Sequence, residues 1–572
     1  MMKLLSLTLT VALAWLVCVR AQDSVDPEKL ILDPARQRMV WDAEHVTFVI
    51  EQRFGKRFLA ALGARDTVAL GGMFRADLRG AVIGGDPEDL EERSKIGISE
   101  SRRGGDPQEV SAKDLVAALV RQLGSIESGL KAQRFRVMKI EKKGTGDGAW
   151  RVQALLSAEG RSKDGALIAV DSFHQIEFET KSEAEFEKGA VVSAWKINSE
   201  RERRAPQLLM EEVTVSAQLH RLPVSDNWIS PENEIPQRYS FQFAVEDFDR
   251  DGFLDIAISS VRGPTAILKS LGGEKFAVAN QAFGLPMMAN KPARAMACWL
   301  DFDNDGYPDL ILGDRVYRNE GGKKFVEITE QSGLVFGKSP MGCAVADYDG
   351  DGLCDLYVLY QGASVAGEAL PWVGDDISGA SNVLWRNLGG GKFEDVTEKS
   401  GAGGGRRNSF AATWLYSDGD AWPDLYVAND FGKNCLLRNR GDGTFEDIAA
   451  ESGAADFATS MGVTSGDLDN DGSPEIYVAN MYSKMGRRII GQVHSDDYAA
   501  GVYDQIKGAC AGNRLYRRGI KAGRYSETSE DWGINDIGWA YAPAMADLDN
   551  DGLLDLHATT GFLSFERGKP DG

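Results

Sequence analysis

The chain has 572 residues, 43% of them hydrophobic, with 64 glycines; that size and apolar content exclude wholesale disorder and imply more than one domain. The formal net charge is −22, and the acidity is segregated: residues 1–205 hold 32 Lys+Arg against 31 Asp+Glu, residues 206–572 hold 32 against 55. Binding to phosphate needs a basic face, so no nucleic-acid partner is expected, and the acidity of the second part requires a local cause.

Residues 1–21 read as a signal peptide. Lys3 forms a short positive region, Leu4 to Val17 is an apolar run of 14 residues, and Val19 and Ala21 stand at the −3 and −1 places of a cleavage site. The run is short for a membrane span, and bulky Val17 before Cys18 argues against a lipidated cysteine. A buried N-terminal helix is the alternative. No later stretch is long and apolar enough for a transmembrane segment, so the expected location is secreted or periplasmic.

Residues 22–205 have the grammar of an α+β domain. Ile50, Phe54, Phe58 and Leu62 share one helix face; Val68–Phe74 and Ala112–Leu130 are further helical candidates. In "WRVQALLS", Trp150, Val152, Ala154 and Leu156 point one way, with Arg151 and Gln153 opposite. "ALIAVDSFHQIEFET" and "VVSAWKINSERER" read as its antiparallel partners. "FLAALGARDTVALGGMF" followed by long strands resembles the cone of the nuclear transport factor 2 superfamily.

Residues 206–572 are repetitive. "DFDRDGFLD", "DFDNDGYPD", "DYDGDGLCD", "DLDNDGSPE" and "DLDNDGLLD" start at Asp247, Asp301, Asp347, Asp467 and Asp547, and a damaged copy, "YSDGDAWPD", starts at Tyr416. Each follows a small, apolar stretch and precedes an apolar strand. A second element, such as "NVLWRNLGGGKFEDVTEKSGA", reads as a strand, a Gly-rich turn and another strand. Each unit therefore holds four short strands, the pattern of propeller blades. The expected fold is mainly β: a β-propeller of six visible repeat units, with six or seven blades both compatible, after a small α+β domain. "MEEVTVSAQL" from Met210 resembles a hairpin end without its blade, so a strand near residue 210 is expected to complete the last blade. Insertions at Gln361–Ala380 and Met481–Ala511 are expected to project from one rim. Five cysteines remain after cleavage, and a Cys435–Cys510 bridge is one possible pairing.

The acidic loops carry the chemistry. Carboxylates occupy places one, three, five and nine, and a glycine at place six permits a sharp turn. Such a hard oxygen cage suits Ca²⁺. The acid at place nine and the flanking strands exclude an EF-hand, whose last acid stands at place twelve. The candidate ligands are Asp247, Asp249, Asp251 and Asp255; Asp301, Asp303, Asp305 and Asp309; Asp347, Asp349, Asp351 and Asp355; Asp467, Asp469, Asp471 and Glu475; and Asp547, Asp549, Asp551 and Asp555. The damaged copy keeps Asp418, Asp420 and Asp424, and is expected to bind weakly or not at all. About five Ca²⁺ are expected, coupled to folding.

The alternation of "DxDxDGxxDLYVAN" with "LYRNxGxGxFxDVTxxSG" resembles the FG-GAP/VCBS-repeat β-propellers, which are integrin-α-like in fold. The order of motifs over residues 460–518 is similar to bacterial relatives of cartilage acidic protein 1. The resemblance implies a secreted, calcium-binding propeller with adhesion, matrix or carbohydrate contact as its role. It leaves the N-terminal domain outside, and the C-terminal extension of many such proteins has no counterpart here. The expected function is a calcium-stabilised binding or adhesion module. Its partner would be a glycan or an extracellular or envelope protein, with Trp372 and Tyr498 as candidate sugar-stacking residues. A propeller-based polysaccharide lyase or hydrolase and a structural envelope protein are the alternatives. The five histidines, His45, His174, His220, His494 and His557, form no nucleophile or metal motif, so no catalytic residue is assigned.

Overall fold

The computed structural model describes residues 33–85, 87–90, 97–144, 148–221, 241–260, 265–286, 296–337, 340–361, 379–482, 484–498, 501–519 and 524–561. The expected signal peptide, Trp372 and nearly all of the insertion at 361–380 lie outside the described residues. Among the described residues, no helix is long and apolar enough to cross a membrane.

Residues 33–205 combine helices with a β-sheet. Asp33 caps helix α1 (Pro34–Val49) by accepting from the amides of Ala35 and Arg36, with Pro34 at the first turn. A π-helical turn, Ile50–Gly55, leads into α2 (Lys56–Gly63). All four residues of the expected face, Ile50, Phe54, Phe58 and Leu62, are buried. Helix α3 covers Thr67–Gly71, and Phe74 already begins strand β1 (Phe74–Ile83). Short strands β2 (Glu88–Leu90), β3 (Ser99–Arg103) and β4 (Pro107–Val110) precede α4 (Ala112–Arg121). The expected helix to Leu130 thus stops early. Arg65 holds the chain beyond it in a turn, donating to the carbonyls of Leu123 and Ile126 at 3.2 and 2.7 Å. Long strands β5 (Ser128–Lys142), β6 (Ala149–Arg161), β7 (Leu167–Glu179) and, after α5 (Glu185–Lys188), β8 (Val192–Ala205) complete an eight-stranded sheet. β7 pairs with β6 as expected, but β8 pairs with β7 rather than β6. Its long register with β7 leaves β6 to pair with β5 on its other side. The core is aromatic: Phe54 and Phe58 pack against Phe135 and Trp195.

The second part builds repeat units, each an antiparallel sheet in chain order. The first unit is β9 (Phe241–Glu246), β10 (Asp255–Ser260), β11 (Ala266–Ser270) and β12 (Phe276–Val278). The second is β13 (Ala297–Leu300), β14 (Asp309–Leu312), β15 (Arg315–Asn319) and β16 (Phe325–Glu327). The third is β17 (Pro340–Ala346), β18 (Asp355–Tyr360), β19 (Val383–Asn387) and β20 (Phe393–Asp395). The fourth is β21 (Ser409–Leu415), β22 (Asp424–Lys433), β23 (Cys435–Asn439) and β24 (Phe445–Asp447). The fifth is β25 (Phe457–Gly466), β26 (Glu475–Asn480), β27 (Arg514–Arg518) and β28 (Tyr525–Glu527). The sixth shows two strands, β29 (Ala540–Ala546) and β30 (Asp555–Thr560).

Neighbouring units stack face to face. Leu300, Ile311 and Val316 of the second unit share a core with Leu356, Val358 and Trp385 of the third; Leu384 and Tyr357 of the third meet Leu425 and Val427 of the fourth. Covering on both faces explains why β14, β18 and β26 are buried along their whole length rather than at alternate residues. The fourth and fifth units are also joined edge to edge: β22 runs on to pair with β25, as Lys433 faces Phe457.

Two expectations need correction here. Residues 213–221 near the start of the repeats form turns and a short 3-10 helix, Leu219–Arg221, rather than a closing strand. The Cys435–Cys510 bridge does not form: all five cysteines among the described residues are free thiols. Cys435 is buried and its sulfur takes a hydrogen bond from Arg407.

The insertion after β26 holds helices α6 (Lys484–Ile490) and α7 (Val502–Cys510). It does not simply project from a rim. Arg488 forms a two-pronged pair with Glu44 of α1, at 2.7 and 3.1 Å, and donates to the carbonyl of Val137. Tyr498 is half-buried beside Tyr503, so its ring packs locally.

Candidate metal centres

The acidic loops fall between the first and second strands of their units. In the second loop the backbone turns left-handed at Asn304 (φ 56°) and Gly306 (φ 88°). Place four is likewise left-handed at Arg250, Gly350, Asn470 and Asn550. Glycine and asparagine tolerate this region, and Arg250 is held there by the loop. The turn wraps the backbone around the first carboxylate. Asp301 accepts from the amides of Asp305 (3.1 Å) and Gly306 (2.8 Å), and the same pair of bonds recurs at Asp247, Asp347, Asp467 and Asp547. Asp305 at place five accepts from the amide of Tyr307. The loops are thus preorganised by their own amides.

Carboxylate oxygens converge to within 4.8 Å in five sets: Asp247, Asp249 and Asp251; Asp301, Asp303 and Asp309; Asp347, Asp349 and Asp351; Asp467, Asp469 and Glu475; and Asp547, Asp549 and Asp551. Asp255, Asp305, Asp355, Asp471 and Asp555 stand outside these sets of three. Asp418, Asp420 and Asp424 form no such set among the described residues. In that damaged loop the Ser417 hydroxyl donates to Asp424 at 2.6 Å, so one carboxylate oxygen is satisfied from within.

The place-nine acid works in two directions. Asp309 is fully buried and accepts from the amides of Phe302 and Asn319, at 3.0 and 2.7 Å. It therefore ties the acidic loop to the end of the third strand. Burial pushes its carboxyl up to about 8, against the pull of those two amides, and Asp303 and Asp301 add to the rise. Asp355 rises to about 7 and Asp255 to about 6, in each case chiefly through burial. Charging these buried carboxyls would call for a cation beside them. Two carboxylate oxygens show it most plainly: Asp303 Oδ1 and Asp349 Oδ1 are buried with no hydrogen-bond donor. Hard oxygens of this kind fit a Ca²⁺ ion.

Three features escape a reading of the loops alone. Consecutive loops are bonded to each other: Asn304 donates to the carbonyl of Gly352 (2.7 Å) and Asn470 to that of Gly552 (3.0 Å). The asparagine ending the third strand clamps the preceding unit. Asn319, Asn387 and Asn439 donate to the carbonyls of Phe248, Phe302 and Tyr348, each at place two of the previous loop. The position before the last residue of the third strand brings positive charge. Lys269 lies 3.0, 2.8 and 3.1 Å from Asp249, Asp251 and Asp255, and Arg386 and Arg517 reach the third and fifth units' loops. In the second unit Arg318 pairs instead with Glu320. The "RN" of "VYRN", "LWRN" and "LLRN" was the available signal for both roles.

Comparison with known proteins agrees with this geometry. The FG-GAP-like repeat family matches residues 247–312, 301–358 and 418–478. Cartilage acidic protein 1 of Homo sapiens is 25% identical over 274 residues, and that of Xenopus tropicalis 24% over 275. Each match covers 43% of this chain and 40% of the relative, so the chain spans about two fifths of the length of the curated relatives it matches.

Proposed function

This chain carries FG-GAP-like repeats, and on that premise we propose that it is an extracellular-type binding or adhesion module whose loops are held in shape by Ca²⁺. The second loop carries the reading, because Asp303 presents a buried, unpartnered carboxylate oxygen beside Asp301 and Asp309. The acids at places one, three, five and nine of about five loops hold the ions. Bound Ca²⁺ offsets repulsion that otherwise costs roughly 1 kcal/mol per close pair even in water. Residues 1–21 are removed on export, the repeats form a propeller ring, and the first domain is a cone of the nuclear transport factor 2 type. The ligand is a glycan or an extracellular or envelope protein, met by the propeller face and by rim loops that the bonds from Asn304 and Asn470 hold side by side.

A glycan array and an envelope-protein screen, run with Ca²⁺ and with EDTA, test this. Retention of a ligand in Ca²⁺ and its loss in EDTA is the expected result. Release of product from a bound polysaccharide would replace the binding module with a lyase or hydrolase.

A further inference from the structure

We propose that the joint between the fourth and fifth repeat units holds a buried site for ordered water. Asn434, Ser460 and Asn480 build it, at the root of the insertion whose Arg488 meets the first domain.

The preceding joint shows what these positions do when they touch. Asn382 stands just before the third strand of the third unit, and its Oδ1 accepts from the amide of Tyr360, the end of the second strand (3.0 Å). Its Nδ2 donates across the joint to the Ser409 hydroxyl (3.0 Å), which donates to Asn429 Oδ1 (2.7 Å). Asn429 Nδ2 then donates to the carbonyl of Lys433 (2.8 Å). These three side chains are buried, and each polar atom has its partner.

The next joint repeats the residues and the register without the bonds. Ser460 faces Asn480 as Ser409 faces Asn429, and the register shifts at the same place after each serine. Asn434 Oδ1 accepts from the amide of Asn429 (2.8 Å), as Asn382 does from Tyr360. Next to it β22 pairs with β25, Asp430 facing Thr459. Yet Asn434 Nδ2, Ser460 Oγ and both Oδ1 and Nδ2 of Asn480 have no hydrogen-bond partner among the described residues, in residues that are 1, 0 and 0% exposed. The Tyr426 hydroxyl near Asn434 donates elsewhere, to the carbonyl of Ala454 (2.9 Å). The insertion supplies a cause. After Asn429 a tight turn brings the Lys433 carbonyl back to the side-chain amide. After Asn480 the chain instead leaves for α6 and α7, and the Thr459 hydroxyl holds their base by bonding Met481 and Ala509.

Buried polar groups are ordinarily bonded, and an internal water serves where roughly two to four of them converge. The chemistry of the set selects water over an ion. Asn434 Nδ2 is a donor, since its Oδ1 already takes the Asn429 amide. A donor hydrogen repels a cation, and none of the three side chains carries charge. A water accepts from Asn434 Nδ2 and donates to Ser460 Oγ and Asn480 Oδ1 with no atom mismatched.

A high-resolution crystal structure of the full chain, with oxygen-17 relaxation dispersion in solution, tests this. Density for a water within about 3.2 Å of Asn434, Ser460 and Asn480 is expected. Ser460→Val replaces the hydroxyl with a methyl and should lose at least one long-lived water per chain. Ser409→Val, at the joint whose side chains bond directly, should lose none. Direct bonds among Asn434, Ser460 and Asn480, no density between them, a metal ion there, or equal water counts in the parent and Ser460→Val would overturn the proposal. The crystal structure of the parent decides by itself if a valine variant does not fold.

Discussion

The carboxamide of Asn387 donates to the backbone carbonyl of Phe302, 2.9 Å away in the preceding repeat unit. Its second bond, at 3.0 Å, goes to Cys354 in its own unit. One buried side chain therefore fastens two acidic loops. Asn387→Ala leaves both carbonyls without this donor and should cost roughly 1–3 kcal/mol. Urea unfolding of the two proteins measures it; an unchanged midpoint would mean the clamp is dispensable.

Lys269 places an ammonium among Asp249, Asp251 and Asp255, where a cation would otherwise sit. The first loop should therefore bind Ca²⁺ more weakly than the second, whose Arg318 pairs with Glu320 instead. Lys269→Met should then raise the calcium affinity of that loop, read by calorimetric titration. Affinity that stays the same would show that the lysine does not compete.

The damaged loop offers a gain of function. Tyr416→Asp restores the first carboxylate, and Ala421→Gly restores the residue that permits the left-handed turn. The double variant should bind one more Ca²⁺ per chain than the parent, counted by equilibrium dialysis with atomic emission.

His174 gives a pH dependence. It is buried, accepts from Trp195 at Nδ1 (3.0 Å) and contacts the Ser172 hydroxyl at Nε2 (2.8 Å). Burial lowers its pKa to about 3. The unfolded chain takes up this proton below about pH 6.5, so its contribution to stability is present above that pH and is lost as pH falls toward 3. The loss approaches about 1.4 kcal/mol per pH unit. His174→Gln should flatten this acid limb, measured as the difference in unfolding free energy between pH 4.5 and 7.

The first domain is tied to the repeats through Arg488 and Glu44. Both side chains are largely buried, so removing one partner strands the other. Arg488→Ala should loosen the contact, and amide exchange in α1 and α6 should then be faster than in the parent. Arg488→Ala with Glu44→Ala should recover part of that protection.

The repeat was legible because place, spacing and composition agree five times over, and the glycine at place six has a steric reason that one sequence suffices to show. The helix face of Ile50 to Leu62 was legible for the same kind of reason. The clamp of Asn387 was not, because its partner, Phe302, lies 85 residues away and offers only a backbone carbonyl. Lys269 was hidden too, since only the folded register brings the third strand over the loop. The end of α4 and the shape of residues 213–221 depend on bonds from Arg65 and Phe276, contacts that periodicity does not encode.

The central claim is that Ca²⁺ holds the acidic loops, and thermal unfolding with excess Ca²⁺ and with EDTA tests it most directly. Binding to the folded state alone stabilises by about 2.7 kcal/mol per site at a hundredfold excess over Kd. The account predicts a melting temperature several degrees higher in Ca²⁺, and an Asp303→Asn chain that recovers less of that rise. An identical melting temperature in both conditions would contradict it.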